Sequence, residues 1–281
     1  MRLVSYRSDR GARAGVLDGD RVIDAGDALG AGEARSVRGL LEDEALGDLE
    51  AVAPGGAGVP LATVELLAPV PDPEKIVCIG LNYREHAAEG RLEPPEVPTF
   101  FAKYANALAG DGATVSLPAS SGKVDYEAEV AFVVGRTARD VDAATALDHV
   151  AGYTLLNDLS ARDLQFQTPQ WMPGKVFDGS APCGPALVTA DEVATAPGGI
   201  GIALDLNGER MQEATTADLI FPVPDLLAHL STLMTLVPGD IVSTGTPAGV
   251  GGARDPRVWL RPGDELRVSS PELGELRTTI A

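Results

Sequence analysis

Cysteine is nearly absent from this 281-residue chain: Cys78 and Cys183 are the only two, too few for a disulfide framework and lacking CxxC metal spacing. Histidine is as scarce, with His86, His149 and His229 alone, so a zinc centre would have few of its preferred ligands to draw on. Lysine is restricted to Lys75, Lys103, Lys123 and Lys175 among 22 basic residues, the rest being Arg. Where Arg is so strongly preferred, a retained Lys points to a place that needs a compact ammonium. No run of 18 apolar residues occurs, so no helix of the usual membrane-spanning kind is expected. The opening Met1-Arg2-Leu3-Val4-Ser5-Tyr6-Arg7 alternates like a strand and has no signal-peptide core, and a cytoplasmic protein is the expectation. Positive charge is also deficient: a net −19 would repel the phosphates of any nucleic-acid partner. Neither GxGxxG nor GxxxxGK[ST] is present, which removes the common nucleotide-binding loops.

What the chain does have is acid in apolar surroundings. Val124-Asp125-Tyr126-Glu127-Ala128-Glu129-Val130-Ala131-Phe132-Val133-Val134-Gly135 reads as a buried strand by its β-branched and aromatic content. Residues of one parity share a strand face, so Asp125, Glu127 and Glu129 point the same way. Carboxylates stacked on an apolar strand repel one another and need a cation or an open cleft. Leu155-Leu156-Asn157-Asp158-Leu159-Ser160 repeats the pattern with one acid in an apolar stretch. The simplest chemical reading is a divalent-metal site of all-oxygen ligands, suited to Mg²⁺ or Mn²⁺.

Residues 1–24 read as short strands with a turn at Asp18-Gly19-Asp20, residues 34–50 carry helical spacing, and Ala53-Pro54-Gly55-Gly56-Ala57-Gly58-Val59-Pro60 is a linker by composition. A small N-terminal α+β domain over 1–70 and a main body over 71–281 follow from this. In the body, strands are expected at 75–80, 99–103, 113–117, 127–135, 152–156, 185–189, 200–206, 240–244 and 264–269. Helices are fewer: 82–89, 142–147, 159–166 and 223–235. Without regular βα alternation, the fold class is mixed α/β and β-rich, not a Rossmann fold or a TIM barrel.

His229 lies in an apolar helix and His149 after an amphipathic turn, both read as packing residues. His86 differs because Glu89 lies one helical turn on, where the two side chains meet and the carboxylate raises the basicity of the imidazole. An ordinary surface pair is the competing reading. The Pro-rich Glu93-Pro94-Pro95-Glu96-Val97-Pro98 that follows makes the segment a candidate lid. Arg162 and Gln165 follow Asp158 at helical spacing, with an Arg162–Asp158 salt bridge as the structural alternative. Lys175 reads as a strand-start residue projecting from a loop. The loop Thr244-Gly245-Thr246-Pro247-Ala248-Gly249-Val250-Gly251 offers backbone N–H groups and the Thr246 hydroxyl to a carboxylate, or is a plain hairpin. Phe166, Trp171 and Met172 are candidates for an apolar pocket wall or for core packing.

Taken in order, Gly80-Leu81-Asn82-Tyr83-x-x-His86-x-x-Glu89, Asp125-Tyr126-Glu127-x-Glu129, Asn157-Asp158-x-Ser160-x-Arg162-Asp163, Gly174-Lys175-x-Phe177-Asp178 and Thr244-Gly245-Thr246-Pro247-x-Gly249-Val250-Gly251 resemble the fumarylacetoacetate hydrolase family over about 75–281. The likeness is greatest to its shorter members, the acylpyruvase, oxaloacetate decarboxylase and hydroxymuconate isomerase type. The resemblance implies a β-roll catalytic domain, a homodimer, and Mg²⁺ or Mn²⁺ held by Glu127, Glu129 and Asp158. It further implies His86 and Glu89 as a water-activating dyad on a lid, Lys175 reaching the reacting oxygen, and Arg162, Gln165 and Thr246 facing the substrate. Asp125 stays outside the ligand set. Fumarylacetoacetase itself carries a further Asp ligand where this chain has Val77-Cys78-Ile79-Gly80, which argues against fumarylacetoacetate as substrate. Family members often place Thr where Gly179 stands, so one hydroxyl is missing. The implied activity is hydrolysis of a C–C bond in a small 2-oxo or 1,3-dicarbonyl acid through a metal-stabilised enolate. Decarboxylation and isomerisation are the alternatives on the same intermediate. A non-catalytic binding protein on this fold is disfavoured by the intact His86, Glu89 and Lys175.

Overall fold

Strands Arg2–Ser8, Gly11–Asp18 and Arg21–Asp24 form an antiparallel meander whose second turn is closed by Gly19-Asp20, with Asp18 opposite Arg21. The computed structural model describes the whole chain except residues 10, 31–32, 54, 90–92 and 194–197. The meander does not stand apart from the body: Arg2 and Leu3 pair with Val188 and Leu187 of strand Ala181–Thr189. From there one sheet runs through Val150–Asn157, Ala128–Val134, Ile241–Ser243, Ile76–Gly80 and Thr99–Lys103, twelve strands among the described residues when its side branches are included. A second sheet of five is ordered Glu209–Thr215, Gly201–Leu206, Glu265–Ser270, Gly274–Ile280 and Ala113–Val115. The molecule is thus mixed α/β and sheet-rich, and Ala128–Val134 lies at its centre.

That central strand is buried at every position, which is why its sequence is a near-continuous apolar run. Its two faces look into different cores. Val130 packs with Leu155, Leu204, Leu266 and Leu276 between the sheets, and Phe132 and Val134 pack under the helix Val223–Leu233. Ala131 and Val133 face the other way, toward Leu40, Leu41 and Leu49 of the N-terminal helices. Glu129 shares the parity of Ala131, so the carboxylate face continues the face that the N-terminal helices cover further along.

Several expected elements are shorter or broken. The run from Val124 is two strands, Val124–Asp125 and Ala128–Val134. Between them the Asp125 carboxylate caps the Tyr126 N–H at 2.9 Å and the chain leaves Ala128–Val134's ladder, so Val124–Asp125 pairs with Ser160–Ala161. The helix expected over 159–166 contracts to Arg162–Gln165 because Ser160–Ala161 is drawn into that small sheet. The stretch 34–50 is two helices, Val37–Glu42 and Leu46–Val52, the first capped by the Ser36 hydroxyl on Gly39 N. The segment over 142–147 is a 3₁₀ turn at Ala146–His149. Strands Glu209–Thr215 and Gly274–Ile280 have no counterpart in the sequence reading, since their many polar residues leave no strong apolar signal.

The meander contains a buried ionic knot. Arg13, 2% exposed, donates to Asp24 Oδ1 at 2.6 Å, and the Tyr6 hydroxyl donates to Asp24 Oδ2 at 2.6 Å. Burial would raise the Asp24 pKa, but hydrogen bonds from Arg13 and Tyr6 outweigh it and bring it from 3.8 down to about 2. A depressed carboxylate stabilises the fold above its unfolded pKa, and the benefit disappears as pH falls through the folded value. The lowering corresponds to about 2 kcal/mol, and a buried Arg13 left without its partner adds to the cost, so Asp24→Asn is expected to destabilise the protein by roughly 2–4 kcal/mol at neutral pH. Urea unfolding of both proteins should show this gap closing between about pH 4 and pH 2. A gap that persists unchanged in acid would rule out the ionic origin.

Candidate metal centre and active site

Three elements converge at one end of the central strand. Ala128–Val134 supplies Glu129, the residue before it is Glu127, and Val150–Asn157 ends one position before Asp158. Pairing Ala128 with Asn157 sets Glu127 against Asp158, and Asp158 N donates to Glu127 O at 2.8 Å. One carboxylate oxygen from each of Glu127, Glu129 and Asp158 lies within 4.8 Å of the others, and all three residues are buried. The donor chemistry is that of a hard divalent cation: carboxylate oxygens only. Cys78 lies near enough to feel Asp158 and Glu129, and burial together with those charges pushes its thiol well above the usual range.

The acids are matched by buried cations. Lys175 Nζ bridges Glu127 Oε2 at 2.6 Å and Asp158 Oδ2 at 2.7 Å. It is not a strand-start residue reaching out of a loop: it follows the 3₁₀ turn Met172–Gly174, is 2% exposed, and lies over the Phe101 ring. Burial would lower its pKa, but the Asp158 and Glu127 charges hold it above the ordinary lysine value. Arg162 does not pair with Asp158. It reaches Glu127 Oε1 at 2.6 Å and Asp125 Oδ2 at 2.9 Å, because the strand Ser160–Ala161 carries it alongside Asp125. Glu127 is consequently ionised: burial is outweighed by Arg162 and Lys175, and its pKa is lowered. Glu129 is opposite in character, its carboxyl raised well above the usual range by burial and then by Asp158 and Glu127. Ser243 Oγ and Gly245 N, the latter at 3.2 Å, donate to its Oε2.

The Gly-rich loop does bind carboxylates, but they are the protein's own. Gly245 N holds Glu129, Gly249 N holds Glu89 Oε1 at 2.9 Å, and Gly251 N and Gly252 N hold Asp125 at 2.7 and 2.9 Å. Asp125 is thereby spent on clamping the loop and Arg162. The Thr246 hydroxyl is also committed, donating to Ala128 O at 3.0 Å and accepting from Gln212 at 2.9 Å. Gln212 reaches in from the second sheet and escaped the sequence reading. Its signal, a polar residue in the weakly patterned stretch Glu209–Thr215, was too faint to select it.

Above this floor is a cavity of about 870 Å³, lined by Glu127, Glu129, Lys175, Gln165, Thr246 and the His86–Glu89 pair, among others. His86 sits on the short helix Arg84–Glu89, its Nδ1 3.3 Å from Glu89 Oε2. The helix is anchored by the fully buried Asn82, whose side chain donates to Thr244 O and Phe221 O and accepts from Phe221 N, while its carbonyl accepts from Ile220 N. Phe166 and Trp171 line the cavity, whereas Met172 packs into the core. Gly80 gives Trp171 its place: a Cβ there would sit 2.3 Å from the indole. Arg254 and Arg257 line the cavity as well, with Lys123. His149 and His229 do not. Residues 90–92 of the expected lid lie outside the described residues. Gly179 adopts φ +73°, a conformation in which Thr would be strained. The neighbouring Ser180 hydroxyl donates instead to Lys175 O at 2.8 Å, fixing the lysine's backbone.

A buried carboxylate cluster suited to a hard cation, faced by a histidine–glutamate pair in a sheet-rich fold, defines a candidate enzyme site. A family model for the fumarylacetoacetate (FAA) hydrolase C-terminal domain matches residues 75–281, and the chain belongs to the fumarylacetoacetate hydrolase family. An oxaloacetate tautomerase (fahd2, mitochondrial) of Xenopus laevis is 42% identical over 221 residues, 78% of this chain and 69% of that protein. The crystal structure of a 5-carboxymethyl-2-hydroxymuconate delta-isomerase from Mycobacterium smegmatis is 32% identical with TM-score 0.80, covering 100% of this chain and 99% of the other. A maleylpyruvate hydrolase from Sphingobium sp. SYK-6, solved with manganese(II) and pyruvate, is 34% identical with TM-score 0.82 over the same shares of each chain. The relatives are named as enzymes, and this chain is an enzyme of the same family.

Proposed function

We propose that this chain is a divalent-metal-dependent enzyme that interconverts the enol and keto forms of a small 2-oxo dicarboxylate of the oxaloacetate kind. The observation that carries the reading is the placement of His86, oriented by Glu89, on the wall of a cavity lined by Glu127 and Glu129, with Asp158 buried beside them. Those three residues would hold Mg²⁺ or Mn²⁺, and the manganese in the Sphingobium relative supports a metal of this class. When bound, the metal supplies Lewis-acid charge for the oxygens of a 2-oxo acid.

Every other contribution comes from side chains. Converting enol to keto removes a proton from oxygen and adds one to the neighbouring carbon. His86 is the group placed to exchange the carbon-bound proton, and Glu89 fixes its ring, itself held by Gly249 N. Lys175, with two of its three N–H groups on Glu127 and Asp158, keeps one to follow the changing charge on the substrate oxygen. Gln165 accepts from Arg162 at 3.0 Å, which leaves its NH₂ group for a substrate oxygen. Trp171 and Phe101, edge to face at 5.9 Å, wall off the lysine from water.

Hydrolysis of a C–C bond, the first expectation from sequence, is the second reading, favoured by the maleylpyruvate hydrolase relative. One assay separates them. Purified protein with Mg²⁺ or Mn²⁺ is given enol-oxaloacetate, acylpyruvates and hydroxymuconates, following enol absorbance and pyruvate release together. Enol loss without pyruvate is the expected result. Pyruvate from an acylpyruvate would install the hydrolase, and no metal-dependent change with any substrate would defeat both.

A further inference from the structure

Lys103 ends the strand Thr99–Lys103 and buries its side chain completely. Its Nζ donates to Asp158 Oδ1 at 2.7 Å and to the Lys175 carbonyl oxygen. Asp158 therefore carries two ammonium groups, one on each oxygen. For a residue meant only to grip a divalent cation this is perverse, because a fixed positive charge at hydrogen-bond distance from a ligand repels the metal. The excess cation makes sense when the whole buried cluster is counted. Asp125, Glu127, Glu129 and Asp158 face Lys103, Lys175 and Arg162, leaving one excess negative charge when all are ionised. A divalent cation turns that into one excess positive charge, which matches the one carboxylate a 2-oxo acid bears beside its ketone, and Arg254 and Arg257 line the cavity for a second. Without Lys103 the loaded cluster would be neutral.

We propose that Lys103 is a positioning residue that sets the charge of the loaded site, weakening metal affinity so that an anionic 2-oxo acid is bound in preference to a neutral ketone. The inference rests on the metal-site reading above and goes beyond it in assigning Lys103 opposite effects on metal and substrate.

The test measures Mn²⁺ binding to metal-free wild type, Lys103→Gln and Lys103→Met by calorimetry, then pyruvate binding to each Mn²⁺-loaded protein. Lys103→Gln keeps a donor for Asp158 without the charge. Both variants are expected to bind Mn²⁺ at least about tenfold more tightly and pyruvate at least about tenfold more weakly than wild type. If Lys103 served only to hold Asp158 in place, Lys103→Gln would match wild type and Lys103→Met would bind Mn²⁺ more weakly, and either result overturns the proposal. Should a variant be unfolded in EDTA, Mn²⁺ is expected to restore its melting transition, and a chain unfolded even at saturating Mn²⁺ also counts against it. Wild type that binds no Mn²⁺ would instead sink the reading of the site itself.

Discussion

Glu127→Ala is expected to leave a protein that retains no Mg²⁺ or Mn²⁺ through dialysis and turns over at least about a thousandfold more slowly than wild type. Two losses combine. The substitution deletes one of the three oxygen donors that the described residues gather there, and neighbouring Asp125 is already held by Arg162, Gly251 and Gly252. It also strands two buried cations, since Arg162 and Lys175 both approach Glu127 at 2.6 Å. Removing one partner of a buried pair costs about 3–5 kcal/mol, so the melting temperature should fall too. Metal content must therefore be read on folded protein, and Asp125→Asn is the control. It breaks a neighbouring salt bridge of the same cluster yet removes no donor, and its metal content should stay near that of wild type. Equal metal retention in Glu127→Ala would overturn the ligand assignment, whereas metal loss in both variants would trace it to collapse of the cluster.

The buried acidic cluster was the most legible part of this chain because its signal is local. Acids at alternate positions of an apolar strand conflict with burial, and the conflict is visible without knowing any partner. Asp158 was legible for the same reason. What resolves the conflict is long-range, and so was hidden. Lys103 lies 55 positions from Asp158, and the scarcity of Lys marked it only as one of four places where a compact ammonium is needed, without naming its partner. Arg162 was read as facing the substrate, with a salt bridge to Asp158 as the alternative, yet the small sheet formed by Ser160–Ala161 delivers it to Asp125 and Glu127. The Gly-rich loop was read as a carboxylate binder or a plain hairpin, and which carboxylates it binds depends on the parallel pairing of Ile241–Ser243 with Ile76–Gly80, which no pattern in either segment announces. Fold class followed from composition and strand spacing. The second sheet was half seen because Glu209–Thr215 and Gly274–Ile280 are rich in Glu, Arg and Thr and expose much of their length, and such strands resemble loops.

His86→Asn is expected to separate chemistry from binding: kcat should fall by about 10²–10⁴ while Mn²⁺ affinity stays within a few-fold of wild type. The geometry requires this asymmetry. His86 reaches Glu89 and the cavity but is not among the three carboxylates that would hold the metal, and Asn preserves a polar partner for Glu89 without a basic nitrogen. The decisive readout is deuterium incorporation into a 2-oxo acid in heavy water, followed by NMR. Wild type should exchange the protons on the carbon beside the ketone, and His86→Asn should lose that exchange in the same proportion as kcat. Glu89→Gln should fall between the two, because Gly249 N still holds the side chain while the imidazole loses its charged neighbour. If exchange survives in His86→Asn but cleavage of an acylpyruvate is lost, the histidine works on water and not on carbon. The site would then be a hydrolase, its enolate formed without help from His86.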